Sequence, residues 1–249
     1  MKKLRFILIN LFFIGIFLYV KDRFIFAQES EIKPSPVFAQ INEDCNIYYD
    51  ENMNSVIKTI KKGSIVQILK DKTEEKYLVK SNEHMLKGWV FGKYLNIPKT
   101  PISNKSKLEK EQIENYVNEN GFSSETEYFV FTDIERQLTY ILKGKEKNWV
   151  LEKTIPCSTG KNSSPTTRGL FKIGERGNWF YSERLKSGAK YWVRFNKSYL
   201  FHSVAMDKNK NVIDGTIGER CSSGCIRMGL EDIKWFYDNI PDGTTVFIN

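Results

Sequence analysis

The chain has 249 residues, which is enough for two small domains and a targeting segment or for one large domain. A hydrophobic share of 41% and a charged share of 27% exclude a mostly disordered protein, and an aromatic share of 14% favours a β-rich fold. The formal net charge of +8 favours an anionic membrane, an anionic cell wall or nucleic acid as partner. We expect no nucleic-acid partner, because the basic residues are scattered and no nucleic-acid-binding motif occurs.

Residues 1–30 have the pattern of an export segment. A basic cluster precedes an apolar run from Phe6 to Val20, as in secretory signals. The run is short for a membrane span, although residues 24–26 would lengthen it, and Ala27 is the candidate cleavage point. An uncleaved membrane anchor, which we favour, and a cleaved signal peptide both stay open. Either one predicts an extracytoplasmic protein, anchored to the cell membrane or secreted to the cell wall.

Residues 37–98 read as short, evenly spaced strands with turns between them, a pattern that predicts a small barrel. This stretch resembles a bacterial Src-homology-3-like domain. The resemblance is carried by Lys62-Gly63 before an apolar strand, by the strand Tyr77-Leu78-Val79, and by Gly88-Trp89-Val90 before Lys93-Tyr94-Leu95. It implies binding of cell-wall peptide or glycan. The alternative is a spacer that holds the next domain away from the membrane.

Residues 99–126 read as a linker with a short amphipathic helix that stops at Gly121. From residue 127 the sequence is strand-rich again, with strands predicted over 128–132, 139–142 and 149–156. One clear helix is predicted from Leu230 to Asn239, before a last strand at 244–248. We therefore predict a separate, mainly β domain with a few short helices over residues 127–249.

The chain has four cysteines and two histidines, which are Cys45, Cys157, Cys221, Cys225, His84 and His202. So few ligands, spread over this length, predict neither a disulfide scaffold nor a metal site, and we expect no cofactor. Cys221 lies four positions before Cys225. It is either a redox partner of Cys225 or, as we favour, an unpaired or structural thiol.

Cys225 is the strongest candidate for chemistry. Gly224 before it permits a tight turn, whose backbone N–H groups can point at a developing oxyanion. A helix beginning nearby would help to lower the thiol pKa. With His84 assigned to the first domain, His202 is the histidine left to act as base. Taken singly, a cysteine is more often a small buried group and a histidine a structural hydrogen-bonding residue.

Three blocks of sequence in this order resemble the L,D-transpeptidase catalytic domain (YkuD-like). The blocks are 155–160 with 164–173, then Phe201-His202-Ser203, then residues 222–228 around Cys225. The resemblance implies a β-sandwich with the cysteine and the histidine facing one cleft. It also implies that the substrate is the stem peptide of peptidoglycan and that the partner is the cell wall.

The resemblance also implies a role for each matched residue. Cys225 matches the nucleophile, His202 the base, and Ser203 the residue that orients the imidazole. The backbone N–H groups of Ser223, Gly224 and Cys225 match the oxyanion hole. Arg227 either binds a carboxylate or braces the loop. The family usually has a second histidine where this chain has Ser223, which puts a role for that imidazole in doubt.

Aromatic segments between the first two blocks line the substrate cleft in the family. By that resemblance Tyr191 and Trp192 are expected to contact substrate, and the alternative is sheet packing. The resemblance implies a transpeptidase that forms a Cys225 thioester, releases terminal D-alanine and cross-links two stems. The alternatives are an L,D-carboxypeptidase that uses water at the same site, and a catalytically lapsed cell-wall-binding protein.

Overall fold

A computed structural model of the chain describes residues 32–249. The predicted signal or anchor, residues 1–30, lies outside the described residues. Among residues 32–249, no helix has the length and apolar character needed to cross a membrane. Residues 34–249 form one unit, which contains two sheets that are described in turn below.

The first sheet spans residues 37–96, which we call the N-terminal module. Its strands are β1 (Val37–Ile41), β2 (Cys45–Tyr48), β3 (Val56–Ile60), β4 (Ile65–Lys72), β5 (Lys76–Ser81), β6 (Leu86–Phe91) and β7 (Leu95–Asn96). They pair antiparallel in the order β3-β2-β6-β5-β4-β1-β7. Alternate residues such as Val37, Ala39 and Ile41 are buried in a core that belongs to this module alone. The short strands were predicted, whereas the Src-homology-3-like identity of the module stays a prediction.

The second sheet fills residues 127–249, which we call the C-terminal module. Its strands are β8 (Tyr128–Asp133), β9 (Leu138–Lys143), β10 (Val150–Ser158), β11 (Gly169–Lys172), β12 (Arg176–Ser182), β13 (Ser187–Asn196), β14 (Tyr199–Ser203), β15 (Ala205–Met206), β16 (Val212–Asp214), β17 (Ile226–Met228) and β18 (Thr245–Ile248). The order is β11-β18-β8-β9-β10-β17-β14-β13-β15-β16, with β12 paired to β13. Most pairs are antiparallel, but β18 runs parallel to β8 and β14 runs parallel to β17.

Two α-helices accompany this sheet in the described part of the chain, α1 (Lys110–Glu119) and α2 (Leu230–Asn239). Helix α1 begins with a capping box between Glu109 and Gln112. Helix α2 has the predicted bounds, and its Ile233 and Phe236 are fully buried. The mainly β content with few helices is therefore confirmed.

One buried cluster holds the C-terminal module together. It joins residues of β8, β9 and β18 to residues of β13, β14 and β17, and α2 contributes to it as well. The two ends of the long sheet thus face a common core, an arrangement in which each inward side chain contributes burial free energy. The same arrangement sends alternate residues of β14 and β17 away from the core, and the candidate site lies on that outer face.

Candidate active site

The parallel pair β14 and β17 brings the candidate nucleophile and base to one face. Its register sets Phe201 beside Ile226 and His202 beside Arg227. Phe201 and Ile226 are fully buried in the core. Successive side chains of a strand point to opposite faces, so His202 and Cys225 both point outward from neighbouring strands. The two residues line the same cavity of about 350 Å³, together with Ser198, Leu200 and Arg227.

His202 is held in a defined orientation. Its Nδ1 lies 2.6 Å from the carbonyl oxygen of Ser203, and its ring meets the edge of Phe180 at a centroid distance of 5.5 Å. Because a carbonyl only accepts, Nδ1 carries the hydrogen and Nε2 keeps the lone pair. Burial lowers the pKa of His202 to about 4, the Ser203 carbonyl opposes that shift and Arg227 adds to it. The imidazole is thus a neutral proton acceptor at neutral pH.

Ser203 orients the histidine through its backbone and not through its hydroxyl group. The Ser203 Oγ accepts the backbone N–H of Lys190 at 2.9 Å and donates to the carbonyl of Val204. The contact with Lys190 ties β14 to β13. The side chain of Ser203 therefore fixes the strand that carries His202.

The stability of the fold should depend on pH through His202. Its pKa is about 4 in the folded chain, against an ordinary value of 6.5, so the unfolded state binds the proton more tightly. The stabilisation is complete above pH 6.5 and is lost as the pH falls from 6.5 towards 4, by up to about 3 kcal/mol. Urea unfolding of wild type and His202→Gln at pH 7 and pH 5 measures this difference. An equal pH dependence in the two proteins would contradict the prediction.

Cys225 is half-buried at the cavity, with its Sγ 3.8 Å from the carbonyl oxygen of Ser198. Burial raises the pKa of the Cys225 thiol, while the Leu200 backbone, Arg227 and Arg194 oppose the shift. The sequence-based expectation that a helix N-terminus would lower this pKa is wrong. Strand β17 separates Cys225 from the start of α2 at Leu230, and the effect of a helix dipole falls off within the first turn of the helix. The resting pair is therefore a thiol beside a neutral imidazole.

The loop before Cys225 is closed by Ser222, a residue that the sequence analysis did not single out. Its Oγ donates to the Cys225 carbonyl at 2.5 Å and accepts the N–H of Gly224 at 3.1 Å. The Gly224 N–H is thus already used in this structure, although it was predicted as an oxyanion donor. The backbone N–H groups of Ser223 and Cys225 have no acceptor within residues 32–249.

The first sequence block supports this loop from behind. The hydroxyl group of Thr166 accepts the N–H of Gly160 and donates to the Gly224 carbonyl, both at 2.8 Å. The backbone N–H groups of Cys221 and Ser222 both donate to the carbonyl of Thr159, at 2.9 and 3.0 Å. The three blocks that are apart in sequence therefore meet at one place.

Gly224 has a backbone that excludes side chains. Its φ is +102°, and a Cβ added there would lie 2.7 Å from the Tyr199 ring carbon Cε1. We expect Gly224→Ala to cost about 1–3 kcal/mol in backbone strain and to displace Cys225. Thermal unfolding and a Cys225 acylation assay measure the two effects. Gly174→Ala is the matched control, because a Cβ at Gly174 would meet no atom within 4 Å.

Arg227 lines the same cavity as His202 and Cys225, but its guanidinium is paired with the Asp214 carboxylate. Its Nη1 donates to Asp214 Oδ2 at 2.5 Å and lies 3.8 Å from the Cys221 sulfur. The Thr216 hydroxyl and backbone, together with Arg227, lower the pKa of Asp214 to about 2. Of the two readings predicted for Arg227, these contacts match bracing of the loop. Cys221, like the other three cysteines, forms no disulfide.

Tyr191 and Trp192 do not line the cavity that contains Cys225. The Tyr191 ring packs 5.7 Å from Tyr237, and Trp192 lies against Gly177 and under Arg194. These contacts are the sheet packing that was the alternative reading. The hairpin of β12 and β13 walls the cavity with other residues instead, among them Phe180, Arg184 and Leu185. No sequence signal distinguished these three from the rest of the hairpin.

The three sequence blocks lie within a segment that matches a known protein family. Residues 127–248 match the family model of the L,D-transpeptidase catalytic domain (YkuD), which confirms the resemblance for this module. The curated protein "Putative L,D-transpeptidase YciB" of Bacillus subtilis (strain 168) is 35% identical over 127 residues, or 49% of this chain and 65% of YciB. The chain therefore covers less than two thirds of that relative.

Two solved structures give the scale of the structural likeness. A fused Zn-dependent amidase/peptidase/peptidoglycan-binding domain-containing protein from Clostridium acetobutylicum is 34% identical, with 56% of this chain and 59% of that chain covered and a TM-score of 0.49. An L,D-transpeptidase from Mycobacterium smegmatis is 14% identical, with 71% and 67% covered and a TM-score of 0.40.

Proposed function

We propose that this protein is a peptidoglycan L,D-transpeptidase that joins stem peptides through a thioester on Cys225. The observation that carries the proposal is the placement of Cys225 and His202. They point outward from the same parallel strand pair, line one cavity, and lie inside the segment that matches the L,D-transpeptidase catalytic domain. No other cysteine lines that cavity in the described part of the chain.

The first half-reaction forms the thioester. His202 Nε2 takes the proton of the Cys225 thiol, and the sulfur attacks the carbonyl carbon of the diamino acid that precedes the terminal D-alanine. The developing oxyanion is stabilised by the free backbone N–H groups at Cys225 and Ser223. The C–N bond to D-alanine then breaks, the imidazolium gives its proton to the departing amine, and a neutral His202 remains.

The second half-reaction forms the cross-link. A side-chain amine of a second stem attacks the thioester carbonyl and gives one proton to His202. The C–S bond breaks, an amide bond forms, and the proton returns to the sulfur. Attack by water would give a shortened stem in place of a dimer, which is the L,D-carboxypeptidase alternative.

The serine at position 223, where the family usually has a histidine, leaves in place every group that these steps require. Its side chain is exposed at the mouth of the cavity, and a backbone N–H donor survives a change of side chain. A catalytically lapsed, wall-binding protein would keep the fold but lack acylation of Cys225. The two readings therefore differ in one measurable step.

The test uses purified protein that lacks residues 1–30, incubated with tetrapeptide muropeptides and analysed by mass spectrometry. We expect released D-alanine and cross-linked dimers. Tripeptides without dimers would replace the transpeptidase by a carboxypeptidase. The absence of D-alanine release and of a carbapenem adduct on Cys225 would refute the enzyme reading.

The remaining assignments follow from this function. We place the protein outside the cytoplasm, where its substrate lies, with residues 1–30 as the signal or anchor. The domain limits 37–98, 99–126 and 127–249 are our proposed division of the chain. The N-terminal module is proposed to be Src-homology-3-like, and the contacts of that module with the active-site loop give it a more specific role, as argued next.

A further inference from the structure

The N-terminal module is bonded to the C-terminal module beside the nucleophile loop. Tyr77 donates its hydroxyl hydrogen to the Ser163 carbonyl at 2.8 Å, and Ser164 Oγ donates to Asp71 Oδ1 at 2.7 Å. Lys161 lies 3.0 Å from Glu74. Ser164 belongs to the first sequence block, which also supports the Cys225 loop, and Lys161 and Ser163 lie in the short gap between the two parts of that block. The turn between β4 and β5 is therefore fixed near the active site.

This turn is stiff. Thr73 and Glu74 have φ values of 57° and 58°, the geometry of a tight two-residue hairpin turn that matches the twist of its strands. Asp71 Oδ2 accepts the backbone N–H of Glu74 at 3.0 Å and so closes the turn. The Asp71 carboxylate is held in place by contacts with neutral donors.

The turn forms one wall of a second cavity, which we call the inter-module cleft. It measures about 280 Å³ and is lined by Asp71 and Glu74 on one side and by Tyr199, Ser198, Ser223 and Arg184 on the other. The last three residues also line the cavity that holds Cys225. The cleft thus adjoins the cavity that holds Cys225, and one of the shared residues is Ser198, whose carbonyl oxygen lies 3.8 Å from Cys225 Sγ.

Two charged residues of the cleft, Asp71 and Arg184, make no salt bridge in the described part of the chain, although the Arg184 charge helps to lower the pKa of Glu74. Glu51 is paired with Lys72 and Glu74 with Lys161, and Lys70 lies over the Trp89 ring. Within residues 34–249, neither Asp71 nor Arg184 makes a salt bridge, and Arg184 makes no hydrogen bond. A guanidinium that makes no salt bridge or hydrogen bond at the junction of two cavities can bind a carboxylate in a bidentate geometry. A carboxylate held by neutral donors keeps lone pairs for peptide N–H groups.

We propose that the inter-module cleft binds the acceptor peptide of the cross-linking reaction, so that the N-terminal module completes the active site. The proposal rests on the function proposed above. Arg184 binds a carboxylate carried beside the attacking amine, and Asp71 accepts N–H groups of the acceptor backbone. The substrate class is therefore a peptide whose reactive amine and a carboxylate share one carbon.

The experiment measures dimer formation by the full chain with a saturating tetrapeptide donor and either of two tripeptide acceptors. One acceptor carries a carboxylate next to the amine, and in the other acceptor that carboxylate is an amide. We expect Arg184→Gln to reduce the preference for the carboxylate acceptor about fivefold. Lys186→Gln is the control. It removes a cation from the turn between β12 and β13 that also contains Arg184, and Lys186 lines neither cavity.

Asp71→Ala is compared with Ser164→Ala, which breaks the same hydrogen bond but keeps the carboxylate. We expect Asp71→Ala alone to raise the acceptor KM, with unchanged carbapenem acylation of Cys225. Equal effects of the two variants, or an unchanged acceptor preference in Arg184→Gln, would overturn the proposal. Loss of acylation in wild type would instead refute the proposed function itself.

Discussion

Cys225→Ala is expected to lower D-alanine release from tetrapeptide muropeptides by at least about 1000-fold, because no other group can carry the acyl chain. The thioester needs a sulfur in the cavity that His202 lines, and Cys225 is the cysteine that lines it in the described part of the chain. Intact-protein mass spectrometry after carbapenem treatment should show an adduct on wild type and none on Cys225→Ala. Residual release in the variant above the rate of a boiled sample would count against Cys225.

Two other cysteines provide the controls for this result. Cys221→Ser should keep D-alanine release within about twofold, since Cys221 does not line the cavity and its sulfur lies 3.8 Å from Arg227 Nη1. Cys157 is fully buried, and burial raises its pKa to about 12, so it should not compete for the carbapenem. An adduct that moved to Cys221 in Cys225→Ala would show that the inhibitor does not report the catalytic thiol.

His202→Gln is the second large effect, with an expected loss in kcat/KM of about 100- to 10,000-fold. Glutamine is polar and of similar reach, but its amide has no basic nitrogen that could take the thiol proton. The variant therefore removes proton transfer. A Ser203→Ala variant tests the strand contact separately and should affect stability more than chemistry.

The pH profile gives an independent check on His202. Its pKa is about 4, because burial disfavours the charged ring, so its base form is present throughout the neutral range. Activity should hence lose the histidine base only near pH 4, below the ordinary histidine value. An acidic limb of kcat/KM close to pH 6.5 that disappears in His202→Gln would contradict the environment described for the ring.

The sequence was sufficient to single out the residues that we propose to carry the chemistry. Cys225 and His202 lie in short blocks with distinctive neighbours, and such local patterns are visible without a fold. Helix α2 was also predictable, because its apolar residues recur at helical spacing and Pro241 follows its end. The strands of the N-terminal module were predictable from their alternation in the same way.

The pairing of those strands was not predictable, because it depends on contacts between distant residues. Nothing local indicates that β14 runs parallel to β17, although this pairing alone brings His202 and Cys225 together. The predicted helix dipole at Cys225 was wrong since a three-residue strand lies between the cysteine and α2. The capture of the Gly224 N–H by Ser222 Oγ is a side-chain contact that a one-dimensional pattern does not contain.

The role inferred for the N-terminal module also depends on contacts between residues that are distant in the sequence. Asp71 and Ser164 are 93 positions apart, and only the docked structure shows that they share a hydrogen bond. A sequence reading treats the two modules as separate units, because each has its own apolar pattern and its own core. The cleft between them exists in neither module alone, so neither sequence pattern could predict it.

Buried and outward-facing side chains alternate along β17, and the burial of Ile226 and Met228 in the core fixes the position of the Cys225 thiol just before that strand. A slip of β17 by one residue against β14 would turn Ile226 and Met228 out to solvent and Arg227 inward. The free energy of burying the two apolar side chains would then be lost, so this register is disfavoured. The sulfur can therefore lie in a short, irregular loop and still be placed accurately, because the strand that follows it can pair with β14 in only one register. For the engineer, this means that Ile226 and Met228 belong in any mutant library aimed at catalysis, although neither side chain reaches the substrate side of the sheet.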